Sequence, residues 1–233
     1  MAAKKTQKKP AKKAAATPER APELRVVQAA MSLAAVQGWR DTTMADIADQ
    51  AGLSLVDMRE LYASKTAILA GLIRQTDDAI LRGSDGDMAA EPVRDRLFDV
   101  IMRRLDALAP YKEGLAAVAR ELPRDSCALA CLAAGPGRRS LQWMLEAARI
   151  QPWGFAAPLQ IKGLGLVYLS VFRVWLDDDG EDLAKTMAAL DKALGRVESV
   201  LAALRRGPRG LLRRRKEKNE SEDEPKDEAV GEA

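Results

Sequence analysis

Few residues in this chain of 233 have the types and spacing that catalysis needs. The sequence contains no histidine, so it lacks the usual general base and the commonest metal ligand. A serine or cysteine nucleophile therefore has no conventional base partner, and no glycine-rich phosphate loop occurs. We expect no catalysis, no metal and no cofactor.

Two groups of residues remain that could bind an ion or react. Cys127 and Cys131 stand four positions apart, too few thiols for a four-ligand zinc site, and they suit a reducing cytoplasmic compartment. Their helical spacing predicts thiols packed in the core, with a redox switch as the alternative. The acidic residues of 177–182 do not match the ligand positions of an EF-hand and predict a loop joining two helices.

Charge is segregated along the chain. Residues 1–20 carry seven Lys or Arg against one acid, residues 21–204 carry 21 against 25, and residues 205–233 carry nine against eight. The Lys-rich arm at 1–21 lacks apolar periodicity, which predicts disorder; it suits either a DNA-binding arm or a solubilising tail. The basic run at 205–216 and the acidic tail after it suit either contact with anionic surfaces or a solvated terminus.

The elements that must position any site are predicted to be helices. Hydrophobic residues make up 47% of the chain and aromatic residues only 4%, with much Ala and Leu, which favours helices over strands. Apolar spacing and capping residues predict helices at 22–37, 43–51, 54–62 and 65–81. Prolines and glycines separate further helices, with a break predicted at 135–137. A long apolar helix is predicted at 158–175 and a final helix at 182–204.

These patterns predict an all-α protein with an N-terminal three-helix domain and a C-terminal helical bundle. The predicted divisions are a disordered arm at 1–21, a helix-turn-helix domain at 22–82, a helical domain at 83–204 and a disordered tail at 205–233. Proline and charged residues interrupt the helix at 158–175, so it is expected to be a buried helix rather than a membrane span.

The segment 24–72 resembles the N-terminal domain of the TetR-like (tetracycline-repressor-type) transcriptional regulators. Gly52 permits the turn of the motif, and Ala48 and Ala51 allow two helices to approach. Ile47, Leu53 and Met58 are expected to fill a small core. The full set of matching features is Ala29-Ala30, Gly38-Trp39, Thr43, Ile47-Ala48, Ala51-Gly52-Leu53-Ser54, Met58, Tyr62, Ser64-Lys65 and Ile68-Leu69.

The resemblance implies a homodimer that binds double-stranded DNA through the helix 54–62. It also implies that 83–204 is a helical ligand or dimerisation domain, in which a small apolar effector would bind. Arg59 is expected at a phosphate or a guanine edge, and Leu55 or Val56 at a thymine methyl group. Residues 22–74 nevertheless hold five basic and six acidic residues, a weak basic footprint for a DNA reader. The candidate DNA-binding residues are Thr43, Ser54, Leu55, Val56, Arg59, Tyr62 and Lys65.

A second resemblance supports an alternative function. The segment 175–191 is similar to the C-terminal signature of ubiquinone-biosynthesis lipid-binding proteins, which share the TetR-like fold. That similarity implies an accessory protein that binds an isoprenoid or quinone lipid and contacts membranes peripherally, without sequence-specific DNA binding. The sequence therefore predicts a cytoplasmic DNA-binding regulator, with the lipid-binding protein as the alternative.

Overall fold

The computed structural model of the protein describes residues 21–83, 90–151 and 157–200, and no β-strand occurs among them. The all-helical fold class is therefore confirmed. The Lys-rich arm, the basic run at 205–216 and the acidic tail lie outside the described residues.

The helices begin and end close to the predicted positions. Those of the predicted N-terminal domain differ from the prediction by a residue or so at either end. The last helix, α10, covers residues 184–200 of the described chain. The others are α1 Ala21–Gln37, α2 Met44–Ala51, α3 Leu55–Leu61, α4 Lys65–Arg82, α5 Val93–Leu108, α6 Lys112–Glu121, α7 Ser126–Leu132, α8 Arg138–Ala147 and α9 Ala157–Leu176.

The chain forms two compact units, residues 1–152 and residues 153–233. The described part of the first unit contains α1 to α8, and that of the second contains α9 and α10. The predicted boundary between residues 82 and 83 falls within the first unit, where α4 packs on α5 and α8. The division into 22–82 and 83–204 stays a prediction.

Helix α1 is the centre of the first unit. It packs against α2, α4 and α6, and it buries Val26, Val27 and Met31 almost completely. Burying a side chain of this size stabilises the fold by about 1.5–3 kcal/mol. Gly114 of α6 lies directly on the Met31 carbonyl, where any Cβ would overlap the backbone of α1. The close crossing of α1 and α6 therefore requires glycine at that position.

A buried polar cluster joins three helices of the same unit. Asp77 of α4 accepts a hydrogen bond from the Arg104 guanidinium of α5, with 2.6 Å between Nη1 and Oδ1. The hydroxyl of Ser140 on α8 donates to the same carboxylate oxygen. The Arg104 and Asp77 side chains are only 5% and 9% exposed, so each charge is stabilised mainly by its partner and not by water.

The predicted break at 135–137 is instead a wide helical turn. Residues Ala133–Gly137 form one π-helical turn between α7 and α8, so the helical path continues from α7 into α8. A wider turn accommodates Pro136, which has no N–H to donate. A Cβ at Gly137 would lie 2.8 Å from the Leu132 carbonyl oxygen, which explains the glycine there.

The prediction of core thiols is wrong. Cys127 and Cys131 on α7 are both exposed free cysteines. Helix α7 buries only Leu132, so the face that carries the two cysteines points away from the core.

The prediction of a buried helix at 158–175 is also wrong in part. Helix α9 buries Ile161, Leu164, Val167, Val171 and Trp175, but a second set of leucines on it is exposed. By length and composition it is the one described helix that could cross a membrane, and 28% of its most apolar window is buried. The buried and the exposed apolar residues thus lie on two different sides of α9, each along its length.

The acidic segment after α9 is a loop, as expected, and it orders the start of α10. Both carboxylate oxygens of Asp178 accept hydrogen bonds: Oδ2 from the Thr186 backbone N–H and hydroxyl, at 2.9 and 2.7 Å, and Oδ1 from the Gly180 N–H at 3.3 Å. The Thr186 side-chain bond, followed by the backbone bonds, holds the pKa of Asp178 below its ordinary value. Among the described residues no cluster of three or more metal-ligating side chains forms.

Candidate nucleic-acid interface

The motif begins at a reciprocal cap on α2. The Thr43 hydroxyl accepts a hydrogen bond from the Asp46 N–H at 3.1 Å, and the Asp46 carboxylate accepts one from the Thr43 N–H at 2.9 Å. These bonds, the Thr43 backbone bond first, lower the pKa of Asp46. The cap satisfies two N–H groups that the start of a helix otherwise leaves without partners, and it therefore fixes where α2 begins.

A left-handed glycine ends α2 and sets the turn to α3. Gly52 has φ +65°, a conformation that side chains with a Cβ rarely adopt. The N–H groups of Gly52 and Leu53 both return to carbonyls of the last turn of α2, at 3.1 Å to Asp49 and 2.9 Å to Ala48. Ile47, Ala48, Ala51 and Met58 are buried at this junction, as the prediction requires. Leu53, which was also expected in this core, is only half-buried because it lies in the turn directly after Gly52.

Helix α3 presents an exposed face of mixed chemistry. Its cap is Ser54, whose hydroxyl accepts from the Asp57 N–H at 3.1 Å and lies 2.7 Å from the Asp57 carboxylate, to which it donates. Leu55 and Val56 are 57% and 62% exposed. The exposed residues of the helix are Leu55, Val56, Asp57, Arg59 and Glu60. Such a face can offer two apolar contacts, one cation and two carboxylates to a groove.

Tyr62, a candidate DNA-binding residue, lies in the core instead of on this face. Its side chain is 2% exposed and its ring packs against Gly71 of α4, where an added Cβ would lie 2.5 Å from the hydroxyl oxygen. The buried hydroxyl has no hydrogen-bond partner among the described residues. Burial raises the pKa of Tyr62 to about 12, with a smaller contribution from Glu23. Tyr62 therefore joins the end of α3 to α4 by packing.

Lys65 is half-buried and uses its ammonium group inside the protein. Nζ donates to the carbonyl oxygens of Trp39 at 2.5 Å, Thr42 at 2.8 Å and Arg40 at 3.3 Å. It also lies 4.9 Å from the centre of the Trp39 ring, within the range of a cation–π contact. Burial lowers the pKa of Lys65, against the opposing effect of Glu121 and Asp41. This side chain ties the start of α4 to the loop between α1 and α2.

Glu121, at the end of α6, is a contact that sequence reasoning missed. Its carboxylate accepts a hydrogen bond from the Arg40 N–H at 2.7 Å, and it lies close to Gly38, which has φ +90°. The two partners are 81 positions apart in the chain, and no local pattern links them. Through this bond the loop before α2 is held by a helix of the predicted ligand domain.

The structure thus brings the candidate residues together in three different roles. Leu55, Val56 and Arg59 are exposed on α3, whereas Thr43 and Ser54 are exposed caps. Tyr62 and Lys65 face inward and hold α3 and α4 in place. Among the candidate residues, therefore, only Leu55, Val56 and Arg59 have exposed side chains that do not cap a helix of the motif.

Solved structures provide the comparison for this arrangement. A TetR transcriptional regulator from Nitrosomonas europaea ATCC 19718 matches with a TM-score of 0.60 and 24% identity, over 75% of this chain and 96% of that chain. A TetR transcriptional regulator from Rhodococcus sp. RHA1 matches with a TM-score of 0.55 and 21% identity, over 77% and 96%. The chain has the TetR fold.

No family model and no curated protein matches the sequence. In the TetR fold of this chain, α2 and α3 with the turn at Gly52 are the helix-turn-helix, and α3 is its second helix. The comparisons do not show the similarity of segment 175–191 to ubiquinone-biosynthesis proteins, and they do not favour the lipid-binding alternative.

Proposed function

We propose that the protein is a homodimeric, DNA-binding transcriptional regulator without catalytic activity that acts in the cytoplasm. The observation that carries the proposal is the exposed face of α3, fixed at its start by Ser54 and behind by Met58 and Tyr62. A helix held in this way can enter the major groove as a rigid reader. The two similar solved structures are both of TetR transcriptional regulators, which supports the same function.

Four of the exposed side chains on this face have a chemistry that fits a base edge or a phosphate. Arg59 supplies the cation of α3 and would bond a guanine edge or a phosphate. Leu55 and Val56 would pack against thymine methyl groups, and Glu60 would accept a hydrogen bond from a cytosine amine. Because the domain itself carries little positive charge, the lysines of residues 1–20 would supply much of the phosphate attraction.

The dimer would form through the exposed apolar stripe of α9, defined as Leu159, Leu166 and Leu169. These leucines are 67%, 72% and 54% exposed, and their spacing places them along one side of the helix. A second copy of this chain is the occupant that the function requires, because a reader helix of seven residues spans only one half-site. Two copies would read a palindromic site.

Effector control belongs to the same proposal. A small apolar molecule bound in the helical body would favour one separation of the two α3 helices and change the affinity for DNA. The hydrogen bond from the Arg40 N–H to Glu121 gives α6 a direct connection to the loop before α2. A displacement of α6 would therefore reach the motif without passing through the rest of the core.

The test is a selection of bound duplexes from a random-sequence pool by the purified full chain. We expect an enriched palindrome whose affinity falls by about 10-fold to 100-fold in Arg59→Glu, the loss expected for one base or phosphate contact. Arg139→Glu is the matched control, since it makes the same charge change at an exposed position on α8. A pool that yields no enriched sequence overturns the proposed function.

The dimer is tested separately by sedimentation. Leu166→Glu places a charge in the centre of the stripe and should convert the dimer to a monomer. Val36→Glu, at an exposed apolar position on α1, should leave the dimer intact. A dimer that survives Leu166→Glu would place the interface elsewhere.

A further inference from the structure

The outward face of α7 carries the two cysteines of the chain on neighbouring turns. Cys127 and Cys131 are both exposed and free, and they stand at i and i+4 of the helix Ser126–Leu132. Side chains at this spacing lie one above the other on an α-helix. The helix is held at its start by Asp125, whose carboxylate accepts a hydrogen bond from the Ala128 N–H at 2.9 Å, so the register of the pair is fixed.

Cys131 lies close enough to Cys127 to affect the ionisation of its thiol. Cys131 raises the pKa of the Cys127 thiol, first through the charge of its own thiolate and then through a hydrogen bond between the side chains; Asp125 adds to the effect. Both effects require the sulfur atoms to be near neighbours.

A disulfide is a poor product for this pair. Sulfur atoms in a disulfide are about 2.05 Å apart and need a Cβ–S–S–Cβ dihedral near 90°. Two cysteines stacked on consecutive turns of a rigid helix meet that geometry only if the helix distorts. A single atom that bonds both sulfurs leaves them at a non-bonded separation and makes no such demand on the backbone.

We propose that Cys127 and Cys131 form a dithiol binding site for trivalent arsenicals of the arsenoxide class. In the reaction an organoarsenic oxide, R–As=O, takes one hydrogen from each of the two thiols. Two As–S bonds form, the arsenic–oxygen bond breaks, and one water leaves, with no change in the oxidation state of arsenic or sulfur. Arsenic(III) is a soft acceptor and prefers sulfur ligands, as soft metal ions do.

The site is independent of the DNA-binding face. Helix α7 contacts α4 and buries Leu132, whereas both cysteines are exposed to solvent. Binding of arsenic would join two turns of α7 covalently and reinforce the helix just before the π-helical turn at Ala133–Gly137. The inference does not depend on the proposed function, and its test does not use DNA.

The experiment titrates the reduced full chain with phenylarsine oxide and counts the remaining thiols. Because the chain holds only two cysteines, one equivalent should remove both, and intact-mass analysis should show one phenylarsenic group per chain. A dithiol such as ethanedithiol should reverse the binding, whereas the same excess of a monothiol should not. Cys127→Ser and Cys131→Ser should each bind about 100-fold more weakly, because the second As–S bond no longer forms within one molecule.

A spacing control separates chelation from the mere presence of two thiols. The double variant Cys131→Ser/Leu129→Cys keeps two exposed cysteines, but at i and i+2, where side chains do not face each other. It should bind as weakly as the single variants, with an unchanged circular dichroism spectrum. Equal affinity in this variant, two arsenicals per chain, or easy reversal by a monothiol would overturn the proposal.

Discussion

Replacing Asp77 should cause a large loss of stability among the single substitutions in the first unit. In Asp77→Ala the Arg104 guanidinium stays buried without its carboxylate, and the Ser140 hydroxyl loses its acceptor. Breaking a buried ion pair by removing one partner costs about 3–5 kcal/mol. The stranded hydroxyl adds about 1 kcal/mol. We therefore expect the free energy of unfolding to fall by about 4–6 kcal/mol.

A double-mutant cycle can separate the interaction energy between Asp77 and Arg104 from the contributions of their surroundings. Asp77→Asn keeps an acceptor for both donors and should cost about half as much as Asp77→Ala. Arg104→Met combined with Asp77→Leu removes both charges and fills the site with apolar atoms, so it should recover most of the loss. The coupling between positions 77 and 104 should exceed about 2 kcal/mol.

The assay is urea unfolding followed by far-ultraviolet circular dichroism and by tryptophan fluorescence. Coincident transitions of the two signals would justify the free energies. A loss below about 1 kcal/mol for Asp77→Ala would refute the reasoning, since such a value is typical of an exposed ion pair. An unrecovered double variant would also refute it, because the loss would then come from shape and not from charge.

Three further predictions concern the motif. Tyr62→Phe should leave stability unchanged or raise it at neutral pH, because the buried hydroxyl has no partner among the described residues. Burial raises the pKa of Tyr62 to about 12. The protonated Tyr62 side chain therefore adds its full share to the free energy of unfolding below the unfolded-state pKa of about 10, and this share is lost as the pH rises toward 12. The free energy of unfolding of Tyr62→Phe should lack this part of the decline at alkaline pH. Lys65→Met should destabilise the fold by about 2–3 kcal/mol, since three carbonyl oxygens lose a charged donor, and a change near zero in urea unfolding would contradict that role. Thr43→Ala should cost about 1 kcal/mol, whereas Thr43→Ser should cost little because its hydroxyl can still cap α2; equal losses in thermal unfolding would rule out the cap as the cause.

Local chemistry made the helix boundaries predictable. Thr43, Ser54 and Ser64 cap helices where the sequence predicts helix starts, and Gly52 takes the left-handed conformation that the turn requires. Each of these interactions joins residues within a few positions of one another. The information needed for them is therefore present in a short window of sequence.

The predictions failed for the orientation of helices α7 and α9, that is, for which side of each helix is buried. The cysteines of α7 were expected in the core because cysteine is usually buried. A seven-residue helix has too little periodicity to decide its orientation, and in the fold only Leu132 is buried. Similarly, α9 is apolar on two sides, and composition alone does not tell that Leu166 is exposed while Leu164 is buried.

The sequence by itself determined the all-helical class, the limits of the helices, and the capped α2–turn–α3 motif, because these depend on periodicity and on contacts over a few residues. Only the tertiary structure decided that Asp77 meets Arg104 and Ser140, 27 and 63 positions away, and that Glu121 holds Arg40 across 81 positions. It also turned Tyr62 and Lys65 inward and left Leu55 and Val56 exposed. Such pairings depend on how whole helices pack, and no local stretch of the chain specifies that packing.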